Sequence, residues 1–129
     1  MLDHDRLLGL RFAPRACAWS EHDVMLYALG IGLCADGLNR RELDFVLEKA
    51  LLVVPSFVTS IALAAMPSAA DFQCDPVQLL HATQSLTLHR AIPPRGSVTA
   101  TSRIVTAVDK GARGAMLSVE TLLVDADSG

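Results

Sequence analysis

From residue 76 onward the hydrophobicity of this chain repeats every second residue. In "DPVQLLHATQSLTLHR", Leu80, Ala82, Leu86 and Leu88 share one parity, while Thr83, Ser85, Thr87 and His89 share the other. Successive side chains of a strand point to opposite faces, so the alternation predicts a strand with one buried face. "IPPRG" predicts a turn after it. Val98, Ala100, Ile104 and Val108 alternate in a second strand. "DKGARG" then turns the chain, with Gly111 and Gly114 free to take positive φ. Ala115, Leu117, Val119 and Leu123 alternate in a third strand. Three strands joined by short turns predict an antiparallel meander.

Before residue 67 the pattern is helical. Ser20 is followed three residues later by Asp23, a helix start of the S-x-x-E kind with Asp for Glu. The helix runs through "DVMLYALGIGL", with Val24, Tyr27 or Ala28, Ile31 and Ala35 as its apolar stripe. Gly30 and Gly32 disfavour a helix, and their presence suggests close packing against another backbone. "ADGLN" breaks the pattern. "RRELDFVLEKALLVV" fits a helix or a short strand equally. Pro55 suits a helix's first turn, where its missing N–H costs nothing. The residues after it, "SFVTSIALAAM", are apolar except Ser56, Thr59 and Ser60. A helix apolar nearly all round is expected to be buried. The class is therefore α+β, a buried helix against long antiparallel strands. A curled sheet wrapped round the helix satisfies this, and so do other α+β layerings.

The 129 residues are 51% apolar and 19% charged, enough for one domain with a real core and far from a disordered composition. Net charge is −3 and Arg40-Arg41 is the one adjacent basic pair, which excludes a phosphate-tracking surface and with it nucleic acid. Cys17, Cys34 and Cys74 are odd in number and widely spaced, the pattern of reduced thiols rather than a disulfide framework or zinc site. Arginine outnumbers lysine and alanine is abundant, as in GC-rich bacteria, so the expected setting is a bacterial cytoplasm. The start, "MLDHDRLLGL", lacks the organisation of a signal peptide. The apolar run 50–66 is split by Pro55 and falls short of the roughly 20 residues of a membrane span. The sequence stops just after the third strand, so further residues completing the sheet are expected beyond Gly129.

No nucleophile elbow, P-loop, dinucleotide fingerprint or zinc-protease motif occurs. His81 and His89 would lie about 27 Å apart along a strand, at about 3.4 Å per residue, too far to share a metal. Glu48, in "FVLEKALLVV", is a candidate for a desolvated carboxyl with a proton to trade. Its plainer reading is an exposed glutamate beside Lys49. His81 lies on the polar parity of its strand and has a plain reading as a hydrogen-bonded surface histidine. Gln84 breaks the apolar parity, and a buried amide must find partners. His89, beside Arg90 at a strand end, reads as solvated. Trp19 and Tyr27 read as core or interface residues. Spacing alone identifies no acid–base pair.

The ordered set "DVMLYALGIGLCAD", "LDFVLE", "VVPSFV" and "DPVQLLHATQSLTLHRAIPPRGSVTATSRIVTAVDKGARGAMLSVETLLVD" resembles the N-terminal half of the MaoC-like, type 2 enoyl-CoA hydratases, over about residues 20 to 127. The resemblance implies the hot-dog fold, in a chain of two repeats that pair like a dimer. In the family the C-terminal repeat carries an Asp and a His in G-D-x-N-P-x-H, which activate the water added to a 2-enoyl-CoA. The N-terminal repeat makes room for the acyl chain. Here the nearest string, "CADGLNRRELD", lacks both the proline and the histidine, so the 129 residues are expected not to carry the dyad. Glu48 matches the glutamate ending the family's F-x-Y-E, with Leu47 for Tyr, and is implied in a supporting catalytic role. His81 and Gln84 match L-H-G-E-Q, with Ala82 and Thr83 for Gly-Glu, and Phe57 matches the aromatic of P-T-F. These three are the implied substrate-binding residues.

The resemblance further implies a single N-terminal domain over residues 1–129, with the catalytic repeat beyond it or on a partner chain. The implied function is the acyl-accommodating half of a (3R)-specific hydratase acting on trans-2-enoyl-CoA. The alternative is a non-catalytic acyl-CoA-binding or assembly subunit of a separate MaoC-type chain. A thioesterase is a weaker third reading, because no thioesterase-like acidic motif is present. No cofactor or metal is expected, since hydration needs neither. The expected partners are the acyl-CoA, a second hot-dog repeat or subunit and a homodimer mate, with no nucleic acid and no membrane.

Overall fold

Ser20 opens the first long helix as its spacing to Asp23 predicts. In the computed structural model, which describes residues 4–37 and 39–126, α1 spans His4–Gly9, β1 Arg15–Trp19 and α2 Glu21–Gly30. The Asp23 carboxylate accepts from the Ser20 N–H at 2.8 Å and from its hydroxyl at 2.7 Å. The backbone bond first, and the hydroxyl second, hold the Asp23 carboxyl below its usual 3.8. Ser68 and Asp71 repeat the device at α4, Ala69–Phe72. Both caps therefore keep their charge through the neutral range.

α2 buries Val24, Met25 and Ala28. It ends at Gly30, earlier than the apolar stripe suggests, and Ile31 beyond it is 51% exposed. The two glycines do not mark a backbone contact. A Cβ built on either meets nothing within 4 Å, and Gly32 instead takes a φ of +95° in the turn. The ambiguous "RRELDFVLEKALLVV" is neither helix nor strand but a set of turns around a 3-10 turn at Leu43–Phe45.

After Pro55, α3 runs Phe57–Ala65. Its apolar composition does not bury it all round. Phe57, Ile61 and Ala65, one turn apart, face the core, while Leu63 is 58% exposed. A helix buries only the face that has something to pack on, and here β1 and β2 cover one side.

β2 (Gly96–Asp109) and β3 (Ala115–Asp125) form as the alternation predicts. The turn between them carries Gly111 at φ +62° and Gly114 at φ +88°. The sheet has three antiparallel strands in the order β1-β2-β3. It is uncurled, where a sheet wrapped round the helix is expected. Its membership also differs from the expected meander. Residues 79–95 are not a strand, and β1 fills the edge of β2 instead, with Trp19 opposite Gly96 and Arg15 opposite Ala100. A strand exists only with a hydrogen-bonding neighbour. Among the described residues no backbone–backbone bond involves residues 80–95.

Inward-facing Val98, Ala100, Ser102 and Ile104 follow the predicted parity. A register shift between Ile104 and Thr106 then moves the buried position to Ala107, leaving Val108 40% exposed. One extra residue in a strand exchanges its faces, which simple alternation does not anticipate. Buried Ser102 is satisfied across the sheet by the Thr121 hydroxyl at 2.9 Å.

Two apolar clusters result. One joins α2, α3 and β2 through Val24, Met25, Phe57, Ile61 and Val98, with Trp19 and Tyr27 packed around them. The other joins α1, α4 and the far half of β2 through Leu7, Phe72, Ile104 and Ala107. Trp19 lies across Gly96. A Cβ there would come within 2.7 Å of the indole ring, and the ring is held by its Nε1–H donating to the Pro93 carbonyl at 2.9 Å. Gly96→Ala is therefore expected to destabilise the fold by about 1–3 kcal/mol, the usual range for overpacking. Chemical denaturation of the variant against the parent chain checks this.

Candidate functional site

Three residues on the outward side of α3, Thr59, Ser60 and Leu63, face the extended segment that follows Gln78. Between them lies a cleft of about 310 Å³, whose other wall is His81 and Gln84. The lining supplies an imidazole, a carboxamide and two hydroxyls around one leucine. The Thr59 hydroxyl already donates to the Ser56 carbonyl at 2.7 Å. Such a cleft offers hydrogen bonds to a polar group and apolar contact to what adjoins it. Its lining includes no carboxylate among the described residues, so by itself it offers no Asp/His pair.

The segment carrying His81 and Gln84 is fixed at both ends. On the entry side the Asp75 carboxylate accepts from the Val77 N–H at 3.0 Å and opens the 3-10 turn Pro76–Gln78. On the exit side Arg90 pairs with Asp125 at the end of β3, and Trp19 holds Pro93. The Nη2 of the adjoining Arg95 donates to both carboxylate oxygens of Glu21 at 2.9 Å, at the start of α2.

The structure brings His81 and Gln84 together with α3 but leaves two other candidates apart. Phe57 is 4% exposed and sits on the opposite, buried face of α3. Its ring meets Trp19 at 6.3 Å and Tyr27 at 5.5 Å, both edge-on. The Tyr27 hydroxyl donates to Ser56 Oγ at 2.9 Å. Phe57 thus sets the seat of α3 rather than lining the cleft. Glu48 lies exposed in the turn before Leu51 and outside the cleft lining. His89 is exposed, as expected of a strand-end residue. All three cysteines are free thiols. Burial, and then the neighbouring Glu42 carboxylate, push the Cys34 thiol up, which makes it a poor nucleophile at neutral pH.

Thr59, Ser60 and Leu63 were not legible as site residues. The signal was the polar pair inside an apolar helix, which has meaning only once the helix is known to have an open face. A second, smaller cavity of about 140 Å³ lies between the α1–β1 connection and the end of α3. Arg15 and Asp71 face each other there at 3.8 Å. Among the described residues no cluster of His, Cys, Asp or Glu could hold a metal ion, and no helix is long and apolar enough to cross a membrane.

Comparison with known proteins adds what geometry alone does not. The family described as the MFE-2 hydratase 2 N-terminal domain matches residues 18–129. Enoyl-CoA hydratase ChsH3 of Mycobacterium tuberculosis is 31% identical over 98% of this chain and 46% of its own length. The peroxisomal enoyl-CoA hydratase 2 of Arabidopsis thaliana is 32% identical over 97% of this chain and 43% of its own. The chain thus spans less than half the length of these relatives. A crystal structure of a MaoC-like dehydratase from Phytophthora capsici superposes with a TM-score of 0.74 at 22% identity. It covers 95% of this chain and 44% of that one, and shows the shared fold.

Proposed function

The chain belongs to the MFE-2 hydratase 2 N-terminal domain family, and from that premise we propose that it is the acyl-accommodating half of a (3R)-specific 2-enoyl-CoA hydratase. The observation that carries this is the cleft between α3 and His81-Gln84: partly apolar, rimmed by hydrogen-bonding groups, and without a carboxylate among its described lining residues. Hydration adds the oxygen of water to C3 of the enoyl thioester and a proton to C2. It needs a base to take the water's proton, an acid to protonate C2, and donors that polarise the thioester carbonyl. A room without an acid–base pair suits the unreactive tail of the substrate. The base and acid come, in this proposal, from a second repeat bearing the G-D-x-N-P-x-H motif.

Within this reading His81 and Gln84 contact the acyl-CoA directly. Phe57 acts through α3, by keeping Thr59, Ser60 and Leu63 in place. Glu48 is left a supporting role outside the cleft. The relatives named above are enoyl-CoA hydratases, and in this proposal the substrate is likewise an enoyl-CoA, whose hydration calls for no redox group.

Leu63 supplies the test. It is exposed to the cleft and belongs to no core cluster, so a larger side chain there fills the cleft without unseating α3. In the chain assembled with a catalytic repeat, Leu63→Trp is expected to raise KM at least about tenfold for a long-chain enoyl-CoA. Such a change corresponds to roughly 1.4 kcal/mol of lost binding. Crotonyl-CoA, with its four-carbon acyl group, should be turned over as before. Equal effects on both substrates would place the acyl tail elsewhere.

The alternative, a non-catalytic binding or assembly subunit serving a separate MaoC-type chain, rests on the same missing motif. It predicts that the catalytic repeat is active without this chain and that this chain alters only its affinity or assembly.

A further inference from the structure

We infer that the cavity of about 140 Å³ between the α1–β1 connection and the end of α3 binds a small oxyanion, a carboxylate or phosphate group, held between the guanidinium groups of Arg11 and Arg15. This second site shares no lining residue with the cleft beside α3 and does not depend on the catalytic reading.

Charge is the first argument. Among the described residues the ionised groups lining the cavity are Arg11, Arg15 and Asp71, two cations against one anion. The Ser68 hydroxyl first, and its backbone N–H second, hold the Asp71 carboxyl below its usual 3.8, so this balance stands through the neutral range. The local excess is positive in a chain whose net charge is −3. Anions are therefore drawn to this place against the charge of the molecule as a whole.

Hydrogen bonding is the second. A guanidinium presents its N–H donors in a planar fork. Arg11 uses one nitrogen, Nη1, which lies 3.2–3.3 Å from the carbonyl oxygens of Leu8, Gly9 and Leu10. That contact anchors the side chain at the end of α1 and leaves the rest of the fork open. Arg15 donates through Nη1 to the Met66 carbonyl at a long 3.4 Å. Its Nη2 stands 3.8 Å from Asp71 Oδ2, beyond hydrogen-bonding distance. Asp71 cannot close that gap without giving up its cap, because the same Oδ2 accepts from the Ser68 N–H at 2.7 Å and from its hydroxyl at 2.8 Å. Among the described residues, neither arginine's Nε–H makes a hydrogen bond. Two anchored forks with open donors at one cavity are what carboxylate and phosphate oxygens fit.

The walls are the third. Ala65 and Pro67 belong to the end of α3 and the turn after it, and Ala65 is 4% exposed. Phe12 is set edge-on against Phe72, with ring centroids 5.9 Å apart. The cavity is thus built into the fold, and little ordering remains to be done on binding. The Arg15 side chain is still 47% exposed, so a ligand can reach it from solvent. The basic half of the site lies ahead of residue 18, where the family match begins, so membership of that family does not supply it.

Titration of the isotope-labelled full chain, followed by NMR at constant ionic strength, tests this. Chloride is replaced stepwise by acetate in one series and by inorganic phosphate in another. The Nε–H signals of Arg11 and Arg15 should shift together and saturate. For at least one of the two anions the dissociation constant should lie about tenfold or more below that of chloride, and the tighter of the two identifies the group. Arg15→Gln should weaken binding about fivefold or more. Arg15 caps no helix, so this variant reads affinity apart from folding. Asp71→Asn keeps an acceptor for the Ser68 cap while removing the opposing charge, and should tighten binding about threefold. A merely structural Arg15–Asp71 pair would give no such gain. Signals that stay still, shifts that chloride reproduces, binding untouched by Arg15→Gln, or weaker binding by a folded Asp71→Asn chain would each overturn the inference.

Discussion

Phe57→Ala should cost the fold about 3–5 kcal/mol, the usual loss for a truncated buried phenylalanine. That is a large part of the 5–15 kcal/mol by which a domain of this size is typically stable. The side chain is 4% exposed and meets two aromatic rings edge-on, one of them pinned through Tyr27 to Ser56 at the start of α3. The two rings beside it are held in place and do not readily refill the space: Trp19 is tied to Pro93 and Tyr27 to Ser56. The control lies two turns along the same helix. Leu63→Ala removes a side chain that is 58% exposed, so it should change stability by no more than about 0.5 kcal/mol. Urea unfolding of the two variants separates them. Similar losses for both would mean that α3 is buried on two faces after all.

The contrast between those two positions shows what the sequence could and could not convey. Features fixed by neighbours in the chain were readable. The Ser20–Asp23 cap, the glycines of the β2–β3 turn and the alternation of β3 each depend on a few adjacent residues, and each is where the pattern puts it. Features fixed by distant partners were not. Residues 79–90 have the composition of a strand, but strand formation depends on a neighbour that these residues cannot specify. β1, only Arg15–Trp19, has too short an alternation to be noticed, yet β2 gives it a partner. The apolarity of α3 says that it seeks burial, not on how many sides it finds it. The bulge at Ile104/Thr106 reverses the faces of β2 without any glycine or proline to announce it.

The site divides along the same line. Gln84 stood out because an amide interrupts an apolar parity, and His81 because a family motif passes through it; both reach the cleft. Phe57 came from the same kind of motif match and lies instead in the core, because a match places a residue in a fold without saying which way its helix face turns. Glu48 had two readings in sequence, a desolvated carboxyl among apolar neighbours and, more plainly, an exposed glutamate beside Lys49. In three dimensions its turn carries it into solvent, and Leu51 goes inward without it while Leu52 stays 51% exposed.

The largest effect expected concerns turnover. The cleft lining contains His81 but no carboxylate among the described residues, and the 129 residues contain no G-D-x-N-P-x-H. General acid–base groups typically contribute about 10²–10⁴-fold each. A chain lacking the pair should therefore fall at least about a thousandfold below the assembled enzyme, however well it binds its substrate. The most direct measurement is the hydration of crotonyl-CoA and of a long-chain 2-enoyl-CoA, followed by loss of enoyl absorbance and chiral analysis of the product. It is made with residues 1–129 alone and again with the chain joined to a repeat carrying the Asp/His motif. The account predicts background rates from the chain alone and (3R)-hydroxyacyl-CoA from the joined form. Substantial turnover by residues 1–129 alone would contradict it.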